Sequence, residues 1–508
     1  MSSTNLAWRQ VSPRVWSRSI DEIEFFYAAM VTLYEASGRM FFGMTGHVSL
    51  TIDVAQGTSQ EDAELQVDKA LRKAWLALRY AHPTLAAEVN ENAQTGEWAK
   101  TYRQFEGESD KDAWLERTLV HISTSQTGNE WANSDPPAPK VPTMFVLHLP
   151  ADVGASLVRR DLVFRSPHDI IDGIGTLMML NNFIARAAQA YEKGDSFEIP
   201  IFDGSESANL SPSYRLAAHV PPQLTEAQKK RVEEIAAQKA AVASDPSVEQ
   251  LSLPFKSGPL LPGRHQRLAL TLSQEQTKRL VTACKAVGAT PTHVFHAAVA
   301  MVMRDVQEPR LETKRVRYIN YILRNERASC VEPYSTPLHS AAVYHSVSGQ
   351  SLIVDMDLPA AGAKIDPKQR REEFLSVLET MKDFYHTVKK DKEHYILTPN
   401  LWALGNPTLP ASPRPLPVPP PKAHPSVSIS SMGRTDAIVA PETGAFSTRD
   451  PWVTGEELGN GLGLFLGTSR GELCLSAAYN DAWHTSDEVQ QYLEHCKEVV
   501  YWGLSIDV

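Results

Sequence analysis

Apolar positions recur along the chain at two periods, and the switches between them mark its elements. Ile23, Phe26, Tyr27, Met30 and Tyr34 recur at helical spacing behind Ser19-Ile20-Asp21-Glu22, a capping-box pattern, with Gly38 placed to stop the helix. Val48, Leu50 and Ile52 alternate as a strand does. Residues 59–62 cap a second helix with Val67, Leu71, Ala74, Trp75 and Leu78 on one face, and His82-Pro83 ends it. Residues 84–135 mix short strand candidates with polar loops. Runs 144–148 and 156–164 predict strands, and 174–191 predicts an amphipathic helix.

The pattern changes after residue 200. Ser, Pro and polar residues dominate to about residue 263, around one Ala/Glu/Lys-rich helix over 225–243 whose charge predicts a solvated face. Leu268, Leu270 and Leu272 then alternate, Ser273 and Gln276 form another capping box, and Gly288 closes that helix. Thr290-Pro291 opens the next one, with proline where its missing N–H costs nothing and Val294, Ala297, Ala298, Met301 and Val302 as buried face. Strands are predicted around 316–323 and 341–354, and a helix over 369–386. Nine prolines between 407 and 425 exclude a central strand or helix interior and predict an extended loop. Strands at 426–430, 462–466 and 472–479 and a helix over 486–502 complete the chain.

The fold class is therefore α/β (α+β), and 508 residues exceed one ordinary core. The expected division is an N-terminal subdomain 1–205, a crossover linker 206–263, and a C-terminal subdomain 264–508 carrying the proline-rich loop 407–425.

Composition narrows the function. Hydrophobic content of 42% and charged content of 22% are those of a soluble globular protein. A net charge of -10 argues against nucleic acid as the main partner, which needs clustered Lys and Arg. The four cysteines form no C-x-x-C pair, so neither a metal site nor a dithiol motif is expected. With no signal-like N-terminus and no apolar run near the roughly 20 residues that span a bilayer, the expectation is no membrane span and a cytoplasmic location.

The candidate chemistry lies in Arg165-Ser166-Pro167-His168-Asp169-Ile170-Ile171-Asp172-Gly173-Ile174-Gly175, an H-x-x-x-D-G pattern between a strand and a helix. A neutral imidazole accepts a proton near neutral pH, so His168 suits a general base acting on an alcohol. Asp172 is a good N-cap and suits a structural role; Gly173 permits a motif turn and leaves room for backbone or ligand. Three competing patterns are weaker. His148 and Asp152 share the spacing, but Val153 replaces the glycine. Gly467-Thr468-Ser469-Arg470-Gly471 matches a hydrolase elbow, yet lies between two strands and reads as a hairpin turn. Gly459, Gly461 and Gly463 are not followed by a βαβ unit.

With its flanking strand and helix, the motif resembles the chloramphenicol-acetyltransferase-like superfamily of CoA-dependent acyltransferases and condensation domains. Trp16 through Glu24 is similar to that group's N-terminal entry, 272–300 to the start of its second subdomain, and Ser428-Ile429-Ser430-Ser431-Met432-Gly433 to a later core strand. Within it, the start at Trp8-Arg9-Gln10-Val11-Ser12-Pro13, the length and the single-histidine motif resemble fungal enzymes that acetylate the trichothecene 15-hydroxyl. The resemblance implies two subdomains, each a mixed sheet flanked by helices, with the active site in a tunnel between them. It implies acetyl-CoA as co-substrate with no covalently bound cofactor, a small-molecule alcohol as acceptor, a monomer, and a ternary complex with His168 as general base. Asp172 would pair with Arg324, or failing that Arg327, and Ser430 or Ser431 would serve the oxyanion. Pro167 stands where condensation domains carry a second histidine, which favours a free-standing acyltransferase. The D-F-G-W-G motif of the plant enzymes is absent.

Overall fold

The computed structural model describes residues 5–92, 95–150, 156–364, 366–410 and 414–507. Asp152 and Val153 lie outside them, as do three positions of the proline-rich loop.

The N-terminal half is built on β1 (Arg9–Ser12), β2 (Val15–Ser19), α1 (Glu22–Tyr34), β3 (Met44–Asp53), α2 (Gln60–Ala81), β4 (Ala87–Glu91), β5 (Trp98–Arg103), α3 (Glu108–Thr118), β6 (Leu119–Ser123), α4 (Gly128–Ala132), β7 (Thr143–His148), β8 (Leu157–Ser166) and α5 (Gly173–Lys193). The linking region holds α6 (Tyr214–Ala217), α7 (Glu226–Ala243) and β9 (Glu249–Gln250). Then follow β10 (His265–Thr271), α8 (Gln274–Ala286), α9 (Pro291–Asp305), β11 (Lys314–Asn320), β12 (Leu323–Asn325), β13 (His345–Val347), β14 (Leu352–Leu358), α10 (Pro367–Lys390) and α11 (His394–Gly405). The chain ends with β15 (Val427–Arg434), β16 (Glu442–Thr443), β17 (Phe446–Gly455), β18 (Leu462–Ser469), β19 (Glu472–Asn480) and α12 (Ser486–Gly503).

Two mixed sheets carry the architecture. The first has the order β16-β17-β3-β8-β7-β6, the second β10-β19-β18-β15. Smaller sheets β1-β2-β5-β4, β14-β11-β9 and β12-β13 flank them. The fold is thus mixed α/β, with sheets covered by helices. In the first core α2 and α5 cover the large sheet, around Trp75, which stacks on Trp114 at 5.8 Å and meets Phe183 edge-on at 5.5 Å. In the second, α9 is central: every side chain from Val294 to Arg304 is buried. Its Arg304 is balanced by Asp305 and Glu373. The apolar face expected there is therefore only part of a helix enclosed on all sides.

Several local readings change. Asp21, not Ser19, caps α1, and it closes the box with Glu24; the carboxylate also accepts Tyr214 N at 2.8 Å, a tertiary bond that local spacing does not reveal. The helix α7 is not wholly solvated, since Ile235 is buried. Helix α11 and strand β17 were not anticipated. The 264–508 segment does not keep to one half: β17 lies antiparallel to β3 in the first sheet, from Ser447 opposite Thr51 to Gly455 opposite Met44. Gly467, Thr468 and Ser469 end β18, and Arg470 and Gly471, both at positive φ, make the hairpin turn into β19, so the segment is not a strand–turn–helix elbow. No single helix among the described residues is long and apolar enough to cross a membrane.

Trp75→Ala should cost about 3–5 kcal/mol, because it empties a fully buried volume and leaves Thr118 Oγ1 without its indole donor at 3.0 Å. Chemical denaturation monitored by circular dichroism measures this.

Candidate active site

The 167–172 loop leaves β8 and turns into α5, so the first sheet delivers His168 to the seam with the second half. Asp172 caps α5 through Oδ1, which accepts Gly175 N at 2.7 Å. Both its oxygens take Arg327 Nη1, at 3.0 and 2.8 Å, and Oδ2 also accepts Tyr344 N at 2.8 Å. Burial opposes ionisation of Asp172, but Arg327 and these hydrogen bonds outweigh it and hold the carboxyl below its ordinary range. The expectation that Arg324 pairs with Asp172 is corrected. Arg324 donates instead to Glu326 Oε1 at 2.8 Å and to the Val388 carbonyl at 2.7 Å. Asn325 opens a 3-10 turn, its side chain accepting from Arg327 N, and this turns Arg327 inward.

The role expected of Gly173 also moves. Its φ is not in the left-handed region, and a Cβ there would meet its neighbours only at 3.8 Å or beyond. The tight position is Gly175, where a Cβ would stand 2.3 Å from the Ser340 carbonyl and 2.8 Å from Arg327 Nη2. Glycine at 175 lets the first turn of α5 press against the backbone that follows the 3-10 turn Pro337–His339.

His168 is buried, and its ring stacks on Tyr27 with centroids 3.7 Å apart and planes at 12°. A second imidazole, His345, lies 5.4 Å away and is hydrogen-bonded through Nε2 to the Tyr27 hydroxyl at 2.9 Å. Burial, and then His345, push the His168 pKa down to about 3, against the pull of its own carbonyl, Asp172 and the Ile171 carbonyl. The imidazole is therefore neutral at physiological pH. Beneath it a buried ionic cluster fixes the loop from the other side. Glu24 takes Arg18 at 2.6 and 2.7 Å and also Lys100, whose Nζ donates to the Asp169 carbonyl at 2.6 Å. Glu24 and Tyr27 share α1, so this cluster also places the ring that stacks on His168.

His168, Asp172 and Gly173 line a cavity of about 710 Å³ between the halves. Arg324 and Arg327 border it, as do Ser430 and Ser431 of β15, His345 and Tyr27. Ile235, Ala236 and Lys239 bring α7 to its wall, and Leu401 and Trp402 bring α11. Ser431 Oγ is engaged with Thr292 Oγ1 at 2.8 Å. Ser430 has no side-chain partner among the described residues. Tyr27, His345 and α11 escaped the sequence reading. Of these only Tyr27 had a signal, its place on the apolar face of α1.

Two mixed sheets meeting at an H-x-x-x-D-G loop define the class: the fold is that of two-subdomain chloramphenicol-acetyltransferase-like acyltransferases and condensation domains. The trichothecene 15-O-acetyltransferase TRI3 of Fusarium sporotrichioides superimposes with a TM-score of 0.78 over 99% of both chains, at 17% identity. The first condensation domain of the calcium-dependent antibiotic synthetase gives a TM-score of 0.58 over 100% of this chain and 98% of that one, at 13% identity. In sequence the chain is similar to two proteins of Monascus ruber. It is 23% identical to acetyltransferase pigO over 99% of both, and 25% identical to O-acetyltransferase pigM over 99% of this chain and 88% of that one. No family model matches the sequence.

Arg327→Met should destabilise the protein by about 3–5 kcal/mol, since it strands the buried Asp172 carboxylate. Denaturant titration of the variant beside wild type measures the loss.

Proposed function

We propose that the protein is an acetyl-CoA-dependent O-acetyltransferase acting on the alcohol of a secondary metabolite, with His168 as general base. The observation that carries this reading is a neutral, desolvated imidazole at the wall of a large, mostly apolar cavity, on a loop clamped from both halves. His168 takes the acceptor hydroxyl proton as that oxygen attacks the thioester carbonyl. When the tetrahedral adduct collapses, the imidazolium returns the proton to the leaving thiolate. The acetyl group passes directly to the acceptor in a ternary complex, with no acyl-enzyme. Asp172 serves as scaffold, held by Arg327, and its charge favours the transient imidazolium. Ser430 rather than Ser431 is assigned to the oxyanion, because its hydroxyl is not committed elsewhere; such donors often supply the largest catalytic contribution.

The acceptor proposed first is the 15-hydroxyl of a trichothecene. The TRI3 superposition and the size of the apolar cavity, ample for a polycyclic alcohol, support it. Transfer from a carrier-bound acyl group is the alternative that the condensation-domain likeness keeps open, and Pro167 at the position before His168 weighs against it. Incubation with acetyl-CoA and a panel of alcohols, scored by product mass and acetylation site, tests both. Turnover without a carrier protein sinks the alternative; no acetylated product from any alcohol sinks the proposal.

His168→Ala should lower kcat by roughly 10²–10⁴ with an unchanged circular dichroism spectrum. The base works in its neutral form, which its depressed pKa preserves on acidification. The kcat/KM profile should therefore show no acid limb from His168 between pH 8 and 5, whereas an ordinary histidine would lose half its base near pH 6.5. Steady-state kinetics across that range reads the difference.

A further inference from the structure

The cavity around His168 holds a second imidazole that the proposed acetyl transfer does not use. His345 lies on β13, opposite Asn325 of β12, and lines the cavity beside His168 and Tyr27. Its backbone is fixed on both sides. Tyr344 N donates to Asp172 Oδ2 at 2.8 Å, the Tyr344 carbonyl accepts Glu326 N at 2.9 Å, and Ser346 Oγ donates to Glu326 Oε1 at 2.6 Å. The carboxylate that holds the His168 loop therefore also holds the strand that carries His345.

Tyr27 joins the two histidines. Its ring stacks on His168, and its hydroxyl meets His345 Nε2 at 2.9 Å. Tyr27 is 5% exposed, and its hydroxyl has no other partner among the described residues. A buried phenol satisfies its single hydrogen by donating it, so Nε2 is the acceptor. Burial lowers the His345 pKa against the pull of Asp172, so the ring is neutral and carries one proton. With Nε2 accepting, that proton sits on Nδ1. Nδ1 makes no hydrogen bond among the described residues, and it is not one of the unpartnered atoms that the fold encloses. His345 thus brings a free, reachable N–H to the cavity wall.

The two ring centres stand 5.4 Å apart, so oxygens on nearby carbons of one ligand can meet one ring each. The N–H does not suit the reacting hydroxyl itself, because a donor there would engage the lone pair that attacks. It suits an oxygen that stays a bystander.

We infer that His345 is a specificity-determining residue whose Nδ1–H binds a second oxygen of the acceptor, which makes the acceptor a 1,2- or 1,3-dioxygenated alcohol. That the neighbouring hydroxyl is the one acetylated rests on the acetyl-transfer reading; the N–H and its ligand do not.

Long-range proton–nitrogen correlation spectra of the full chain, labelled at histidine with nitrogen-15, test this without turnover. His345, assigned by the signals lost in His345→Asn, should be the Nδ1–H tautomer, and Tyr27→Phe should shift it toward Nε2–H. The probes are trans-2-methoxycyclohexanol and cis-3-methoxycyclohexanol, each beside the isostere with ethyl in place of methoxy. At one spacing or the other, the methoxy alcohol should move the Nδ1 resonance and bind about tenfold more tightly than its isostere. His345→Leu should erase that preference. His345→Asn, whose amide N–H stands where Nδ1–H stood, should restore it to within about threefold. With acetyl-CoA, His345→Leu should raise KM for the methoxy alcohol alone and leave KM for acetyl-CoA unchanged. An Nε2–H tautomer in wild type, or no methoxy preference at either spacing, overturns the inference. So does a fall in kcat that is equal for methoxy and ethyl alcohols, which assigns the N–H to the thioester oxygen. A methoxy preference without acetylation of any alcohol removes the proposed activity and leaves this site; acetylation without the preference does the reverse.

Discussion

The ion pair in which Arg327 Nη1 bridges both oxygens of Asp172 is the constraint on which the molecule turns. It ties the two halves together, beside the crossing strand β17, at the residue that caps α5 and ends the His168 loop. Both partners are buried, so each makes the other tolerable in a medium that penalises lone charge. On the opposite side of the loop, Lys100 holds the Asp169 carbonyl while paired with Glu24. The loop is thus tied by one ion pair across the seam and by one cluster within its own half. A histidine so tied keeps its orientation without depending on the substrate.

That rigidity shapes the chemistry. The imidazole is enclosed by Tyr27 and His345 instead of by water, and desolvation keeps it unprotonated. Around it the cavity has apolar wall from α1, α7, α11 and β18, with Lys239, Arg324, Arg327 and Glu457 among its polar lining. Residues from the linking region, α7, pack beside residues from α11, more than 150 positions later, on one wall of that space.

Elements defined by local chemistry were legible. The capping pairs at Ser59, Thr225, Ser273 and Thr290 each sit at the helix start the sequence marks, because a cap is satisfied within four residues. His168 and Asp172 were legible for the same reason: the motif is compact. What failed was long-range. Arg324 and Arg327 have similar sequence credentials, and only the inward turn after Asn325 selects between them. Gly175 matters because of the Ser340 carbonyl, which approaches from the other half. Helix α11 hides behind an internal Pro399, and His345 lies on a three-residue strand with no periodicity to announce it.

The crossing strand β17 has a consequence for how the protein comes into being. Ribosomal synthesis delivers β3 nearly four hundred residues before β17, its sheet neighbour. At roughly 5–20 residues per second, the exposed edge of β3 waits on the order of tens of seconds for its partner. An open strand edge is a template for pairing with other chains. The nascent chain therefore passes through a long window in which its largest sheet is incomplete, and the N-terminal half cannot mature as an independent unit. Truncation before residue 446 removes more than a C-terminal appendage: it leaves the sheet that carries the His168 loop unfinished.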